Sequence, residues 1–348
     1  MYRVMSLEGD GIGSEIMKSA KTLIEYINNN TNIKIECIDA PFGGSAIEKY
    51  DTPFPNVTKE LLNKVDAVLL SAVGDERYNN RSYTPENALL DLRKELDVYI
   101  NLRPFKTIEK LSYLTSFKKE VLSNVNFLFF RELSSGAYFG KPRVLKETEA
   151  IDTIYYNCDE IERIVRAAFE YCNKNNKLLT SVDKANVLAT SKLWRATVDR
   201  ISNEFPSVEY EHRLVDSCAM DLVMIPSHFD VIVTDNLFGD ILSDQSAALL
   251  GSLGMMCSAS LGSSISLYEP GHGSAPDIAG QGIANPIAML KSVAMMYEHS
   301  FNNKKISEAI DDAIMQTIND DIFTYDLNKN NYFSTKDFIT KVIERMNL

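Results

Sequence analysis

The chain has 348 residues, room for about two domains of ~150 residues, and with 45% hydrophobic and 24% charged residues it is not a disordered, fibrous or disulfide-built protein. A formal charge of -12, from 48 acidic and 36 basic residues, argues against nucleic acid as a partner. Five scattered cysteines without a CxxC pair, and four scattered histidines, read as free thiols in a reducing compartment with no zinc site.

The first apolar run, Tyr2–Leu7, reads as a strand rather than a secretory signal. Helical patterns at Glu15–Ile27 and Thr58–Asn63 alternate with strand-like runs at Ile33–Ile38 and Ala67–Ala72. That rhythm implies a largely parallel sheet covered by helices. Between the first strand and the first helix lies Gly9-Asp10-Gly11-Ile12-Gly13. A dinucleotide fingerprint needs G-x-G-x-x-G, and Ser14 occupies its third glycine position. The segment is either an imperfect fingerprint or a tight strand-to-helix turn.

Thr84 and Pro85 suit the N-cap and first position of a helix. Glu86, Leu89, Leu90 and Arg93 then share one face. An acid, two leucines and a guanidinium fit a ligand with an apolar branch and a carboxylate, or an amphipathic helix with a snorkelling arginine. Arg103, in NLRPF, and Arg131, after the strand Val125–Phe130, stand near strand ends. Arginine suits bidentate carboxylate binding, and also surface ion pairs.

From Ser134 to Asn157, glycines and Pro142 followed by alternating residues predict an antiparallel arm. Such arms often pair between subunits, so a dimer is expected. A long amphipathic helix is predicted at 159–175. Lys184, in SVDKANVL, follows an apolar run; a desolvated lysine there could act as a base, and a solvated one would not. After the strand Val231–Thr234, Asp240 and Asp244 lie at i and i+4 on one helix face. They are either a solvated face or hard oxygen ligands for Mg²⁺ or Mn²⁺, with Asp216 as a third carboxylate on another segment.

The uncharged run Gln245–Tyr268 is long enough to span a bilayer, but its Ser and Gly content marks it as protein interior. The chain is expected to be soluble and cytoplasmic. Glu269–Pro286 holds four glycines and three prolines and reads as a shaped loop. Such a loop can cradle phosphates, and Asp277 could accept from a ribose diol. A helix at 287–301, a further helix, a polar loop at Asp326–Asn331 and a closing helix complete the chain.

Five ordered segments, ENALLDLRKELDVYINLRP, RELSSGAYFGKPR, SVDKANVL, FGDILSD and HGSAPDIAGQGIANP, resemble the isocitrate/isopropylmalate dehydrogenase family over nearly the whole chain, and its isopropylmalate branch in particular. The resemblance implies an α/β fold of two domains with a large shared mixed sheet and a β-arm, not a Rossmann fold. One domain would combine residues 1–98 and 251–348 on the cofactor side. The other, 99–250, would carry the metal site and the dimer contact, and the active site would lie in the cleft between them. It further implies NAD-dependent oxidative decarboxylation of 3-isopropylmalate to 4-methyl-2-oxopentanoate, in leucine biosynthesis, by a homodimer with shared sites.

By the same likeness Arg93, Arg103 and Arg131 hold the substrate carboxylates. Asp216, Asp240 and Asp244 hold Mg²⁺ or Mn²⁺, Asp216 also touching substrate. Lys184 is the base and Tyr138 the acid, with Lys184 and Asp216 coming from the partner. Leu89 and Leu90 would pack on the isopropyl group. Glu86, His272, Gly273, Ser274, Ala275, Asp277, Ile278 and Asn285 would hold NAD, because a carboxylate at Asp277 favours a free ribose diol over a 2′-phosphate. The alternatives are a sister activity on homoisocitrate, tartrate, malate or another alkylmalate, a regulatory relative, and a metal-dependent phosphate-binding protein without redox chemistry. The chain departs from the family at Glu8, usually Pro, at Gly271, usually aliphatic, and in GDERYNNRSYTPE after Val73.

Overall fold

The computed structural model describes residues 1–348. In chain order the first elements are β1 (Tyr2–Gly9), α1 (Gly13–Asn30), β2 (Ile35–Asp39), α2 (Gly44–Tyr50), α3 (Asn56–Leu62), β3 (Ala67–Ala72) and α4 (Pro85–Glu95). Then come β4 (Val98–Lys106), α5 (Lys119–Leu122), β5 (Asn126–Glu132), β6 (Val144–Leu145), β7 (Ala150–Ile151), α6 (Cys158–Asn175), β8 (Leu179–Asp183) and α7 (Ala189–Ser202). They are followed by β9 (Tyr210–Leu214), α8 (Val215–Met224), β10 (Val231–Thr234) and α9 (Asn236–Ser246). The last are β11 (Cys257–Gly262), β12 (Ser266–Pro270), α10 (Ile287–His299), α11 (Lys304–Asn319) and α12 (Thr335–Ile343).

Ten strands order as β2-β1-β3-β12-β11-β4-β5-β10-β8-β9 in one mixed sheet. The pairs β4/β5 and β11/β12 run antiparallel, and β1 pairs β2 and β3 in parallel. This is not the 3-2-1-4-5-6 order of a Rossmann sheet. The chain divides into two compact units, Met1–Val98 with Gly251–Leu348, and Tyr99–Leu250.

In the first unit β3 is buried along its whole length, as expected of a parallel strand covered on both faces. Helix α10 is buried on nearly every side, from Ile287 to Tyr297, so it is core rather than surface. The uncharged run before it forms the end of α9, all of β11 and the start of β12, with Met255, Met256, Cys257 and Ala259 buried. No helix is long and apolar enough to cross a membrane.

In the second unit Phe105, Phe127, Phe129 and Phe229 pack ring to ring, with centroids 5.3–6.3 Å apart, in the range favoured for aromatic pairs. Helix α6 starts on a reciprocal Asn157–Glu160 capping box and ends on Asn176 in the left-handed region. The expected arm is present, but its strands β6 and β7 pair over only two residues each. The predicted loop also starts later than Glu269, because Glu269 and Pro270 belong to β12.

Candidate active site

Within the second unit, the antiparallel register of β4 and β5 sets Asn101 opposite Arg131 and Arg103 opposite Phe129. Arg103 and Arg131 therefore project from the same face of the sheet. Helix α9 lies over them. Gly239 permits this approach, since a Cβ there would sit 2.7 Å from Arg131 Cγ.

Both guanidiniums are buried and engaged. Arg103 donates to Asn101 Oδ1 (2.8 Å), Ser243 Oγ (2.7 Å) and Asp244 Oδ1 (2.7 Å). Arg131 donates to Asn236 Oδ1 from Nη2 (2.8 Å) and to Asp240 Oδ1 from Nη1. Tyr138 donates its hydroxyl to Asp240 Oδ2 (2.5 Å) and lies under the Arg131 guanidinium, 5.5 Å from ring centroid to carbon. Burial first, and then the Asp240 hydrogen bond, push the Tyr138 phenol above its ordinary value, so it holds its proton at neutral pH. Two cations thus face two carboxylates beside a protonated phenol.

Asn236, Asn101 and Ser243 belong to this cluster and were not singled out above. A signal existed for two of them. Asn236, Asp240, Ser243 and Asp244 fall at i, i+4, i+7 and i+8, one face of α9.

Lys184 and Asp216 do not join the cluster within one chain. Lys184 follows β8, Asp216 sits in the first turn of α8, and Lys184 Nζ lies 2.5 Å from Asp216 Oδ1. The ammonium holds Asp216 below the usual carboxylate range. Beneath them, buried Asp183 is clamped by Arg195 through two bonds of 2.9 Å. No three His, Cys, Asp or Glu side chains of one chain gather into a metal-holding group. The two carboxylates on α9 nevertheless supply hard oxygens of the kind Mg²⁺ and Mn²⁺ take.

The remaining candidates lie in the first unit. Helix α4 has the expected Thr84 cap, reciprocated by Asn87, and Pro85 at its start. It buries Pro85, Ala88 and Leu92. Glu86 is exposed and Leu89, Leu90 and Arg93 are half-buried, so their common face is not spent on the core. Arg93 Nη2 donates to buried Glu269 (2.8 Å), which fixes the guanidinium from behind.

The loop after β12 wraps onto the loops that follow β1 and β3. Asp10 accepts from Gly74 N and Ser45 N (both 3.0 Å). Ser274 Oγ donates to Gly74 O (2.7 Å). Glu86 Oε1 lies 3.2 Å from where a Cβ on Gly74 would be. In the altered segment after Val73, Arg77 pairs with Asp75 (2.6 Å) and Glu48 (3.0 Å), and Arg81 with Asp51 (2.8 Å).

His272 turns Nδ1 toward Gly273 O (2.9 Å), while its Nε2 is sealed from water with no partner. Burial lowers its pKa. Space above Gly273, Gly280 and Gly282 is open, since a Cβ there would meet nothing within 4 Å. Ala275 has a φ of 41°, which few side chains adopt. The Asp277 carboxylate is exposed, and Ile278 beside it is half-buried. The open glycine surface beside His272 leaves room for a ligand such as a dinucleotide. Asn285 is different, because it spends its amide on Asp326 (2.9 Å) and on Ile287 N (2.9 Å).

The isocitrate/isopropylmalate dehydrogenase profile matches residues 3–342. The chain is 48% identical to a 3-isopropylmalate dehydrogenase of Streptococcus thermophilus, over 93% of this chain and 94% of that protein. It is 46% identical to that of Aquifex aeolicus, over 99% and 97%. Among solved structures it resembles isocitrate dehydrogenase from Methylococcus capsulatus, with a TM-score of 0.90, 35% identity and 99% of both chains covered. A β-decarboxylating dehydrogenase from Thermococcus kodakarensis is also similar, with a TM-score of 0.82, 32% identity, and 99% and 96% covered. Sequence, fold and arginine–aspartate cluster agree, and the chain belongs to the isocitrate/isopropylmalate dehydrogenase family.

Proposed function

We propose that the protein is a 3-isopropylmalate dehydrogenase, oxidising 3-isopropylmalate with NAD and releasing CO₂ and 4-methyl-2-oxopentanoate. The observation that carries the substrate choice is the uncovered face of α4. Leu89 and Leu90 stand beside Arg93 there, an apolar patch next to a carboxylate-binding group rather than a polar one. The curated relatives at 46–48% identity carry the 3-isopropylmalate name, whereas the isocitrate dehydrogenase structure stands at 35%.

Arg93, Arg103 and Arg131 would orient the malate carboxylates. Arginines already held by Glu269, Asn101 and Asn236 give up little freedom on binding. Asp240 and Asp244, with Asp216, would hold the divalent cation, Asp216 lying within reach of the substrate as well. When bound, the cation supplies a Lewis acid beside the substrate hydroxyl and NAD supplies the hydride acceptor.

With Asp216 turned to the cation and its own proton released, Lys184 as the neutral amine would take the proton from the C2 hydroxyl. The C2–H bond breaks with its electron pair leaving as hydride, giving the 2-oxo acid. The bond from C3 to its carboxylate then breaks and CO₂ leaves. That bond's electron pair leaves an enolate over C2 and C3, and Tyr138 donates its proton to C3, restoring the 2-oxo group. Glu86, His272, Gly273, Ser274, Ala275, Asp277, Ile278 and Asn285 are the proposed cofactor set. Asp277 would accept from the ribose diol, and Asn285 would act by holding the loop.

The protein would work as a homodimer. On α8, Asp216, Met220, Val223 and Met224 form one stripe, at i, i+4, i+7 and i+8. Met220 is 60% and Met224 63% exposed, an exposed apolar stripe of the kind that marks an interface. Neighbouring α9, tied to α8 through Gln245 and Ala219 O (2.9 Å), exposes Ile241. Covering this face with a second copy would bring Asp216 and Lys184 against the partner. The exposed arm residues Leu145 and Tyr155 favour the same assembly.

The direct test is product stoichiometry. Purified protein with 3-isopropylmalate, NAD and Mg²⁺ should yield NADH, CO₂ and 4-methyl-2-oxopentanoate in equal amounts, and EDTA should stop the reaction. Faster turnover of isocitrate, homoisocitrate or tartrate would overturn the substrate choice.

A further inference from the structure

None of the roles above uses the segment Gly9–Glu15, the near-miss to a dinucleotide fingerprint. In the structure it forms the back of the loop Gly271–Asn285. Ile12 N donates to the Ser274 carbonyl (2.8 Å). Gly11, at φ +54°, comes so near that carbonyl that a Cβ would lie 2.0 Å from its oxygen, so only glycine serves there.

Glu15, in the first turn of α1, grips the far end of the same loop. Its Oε2 accepts from Gly282 N (3.3 Å), and its Oε1 accepts from Ala284 N (2.9 Å) and from the Thr335 hydroxyl. Thr335, at the start of α12, donates its own N–H to Gly282 O (2.9 Å). Its Oγ1 also lies 2.7 Å from Ala284 O, and its one hydroxyl proton serves one acceptor at a time. Gly280, between the two grips, and Gly282, at the second, hold φ values of +75° and +69°. Gly273, Gly280 and Gly282 have open space above them. The loop therefore lacks packing on its outer side and takes its shape from behind.

We propose that Glu15, seconded by Thr335, is a positioning residue for cofactor binding. It fixes the backbone of residues 282–284, and with it the presentation of Asp277 and its neighbours, through the loop rather than by touching the cofactor. The carboxylate accepting backbone N–H groups is the stronger, charge-assisted form of this bond. The inference rests on the assignment of this loop to NAD made above.

The test compares Glu15→Gln, Thr335→Val, Thr335→Ser and Asp277→Ala in the full-length protein. It reads the KM for NAD, the KM for 3-isopropylmalate, kcat, NADH binding by fluorescence, and the melting temperature. Glu15→Gln should raise the KM for NAD and the Kd for NADH about tenfold, with kcat and the other KM within about twofold, the pattern of lost binding rather than lost chemistry. Thr335→Val should move the same two quantities in the same direction, and Thr335→Ser should restore them. If Glu15→Gln fails to fold, the Thr335 pair carries the same readouts. Should Asp277→Ala weaken NADH binding while Glu15→Gln and Thr335→Val leave it unchanged, or shift both KM values alike, the positioning role is overturned and the loop assignment stands. Should Asp277→Ala leave NADH binding unchanged, the loop assignment falls and this inference with it.

Discussion

Gly271 stands where the family usually carries an aliphatic side chain, and the space that chain would fill is taken here from the other side. A Cβ on Gly271 would lie 2.4 Å from Met256 Cε and 2.9 Å from its Cγ. Met256 is wholly buried, and its unbranched thioether suits filling an irregular gap. Gly271 N also donates to Met256 O (2.7 Å), so the two backbones are already locked together. Gly271→Val should cost about 1–3 kcal/mol by overpacking, and Met256→Ala about 2–5 kcal/mol by leaving a cavity. The double variant should cost less than the sum, by at least ~0.5 kcal/mol, because each change relieves the other. Denaturant unfolding of the four proteins measures this, and strict additivity would contradict the compensation.

The helix that carries Asp240 and Asp244 is also set by its own start. Asp235 caps α9 by accepting from Phe238 N (2.8 Å). Burial, with nearby Glu132 adding to it, pushes the Asp235 carboxyl up to about 7. The folded state then binds a proton more tightly than the unfolded chain, so this group's contribution to stability falls as pH rises from about 4 to about 7. Asp235→Asn keeps a capping side chain and should flatten that fall. Thermal unfolding of both proteins across this range tests it, and parallel pH profiles would contradict the assignment.

Elements differ in how plainly they can be read. The strand of Ala67–Ala72 was legible to the residue because it is uninterrupted and buried on both faces. The start of the helix at Thr84–Pro85 was legible too, and so was the helical spacing of Asp240 and Asp244, though not the ends or the Asp235 cap of the helix Asn236–Ser246. Strand β9 was not legible. Its residues YEHRL are all half-buried and mostly polar, and they are held by side-chain partners such as Thr180 to Glu211 (3.1 Å) and Arg213 to Asp221 (2.6 Å). Asn236 escaped notice because a neutral amide on a helix has many ordinary uses. Only the hydrogen bonds from Arg131 show which arginine it serves.

At the scale of the molecule, one chain holds two separate sets of chemical groups. Arg103, Arg131, Tyr138, Asp240 and Asp244 meet in one cluster. Lys184 and Asp216 pair with each other on a separate exposed patch. A proton acceptor and a proton donor for the same substrate must lie within hydrogen-bond reach of it. The exposed stripe of α8 carries Asp216 toward whatever covers that helix. Twofold symmetry would then place the base of each protomer at the acid of the other.

The decisive measurement isolates a heterodimer of Lys184→Ala and Tyr138→Phe chains, co-expressed with two different tags. Each parent homodimer should be nearly inactive. If the sites are shared between protomers, the heterodimer holds one site with both groups intact and should regain about half of the wild-type turnover per dimer. A heterodimer as inactive as its parents would mean that Lys184 and Tyr138 work within one chain, and would contradict the shared site.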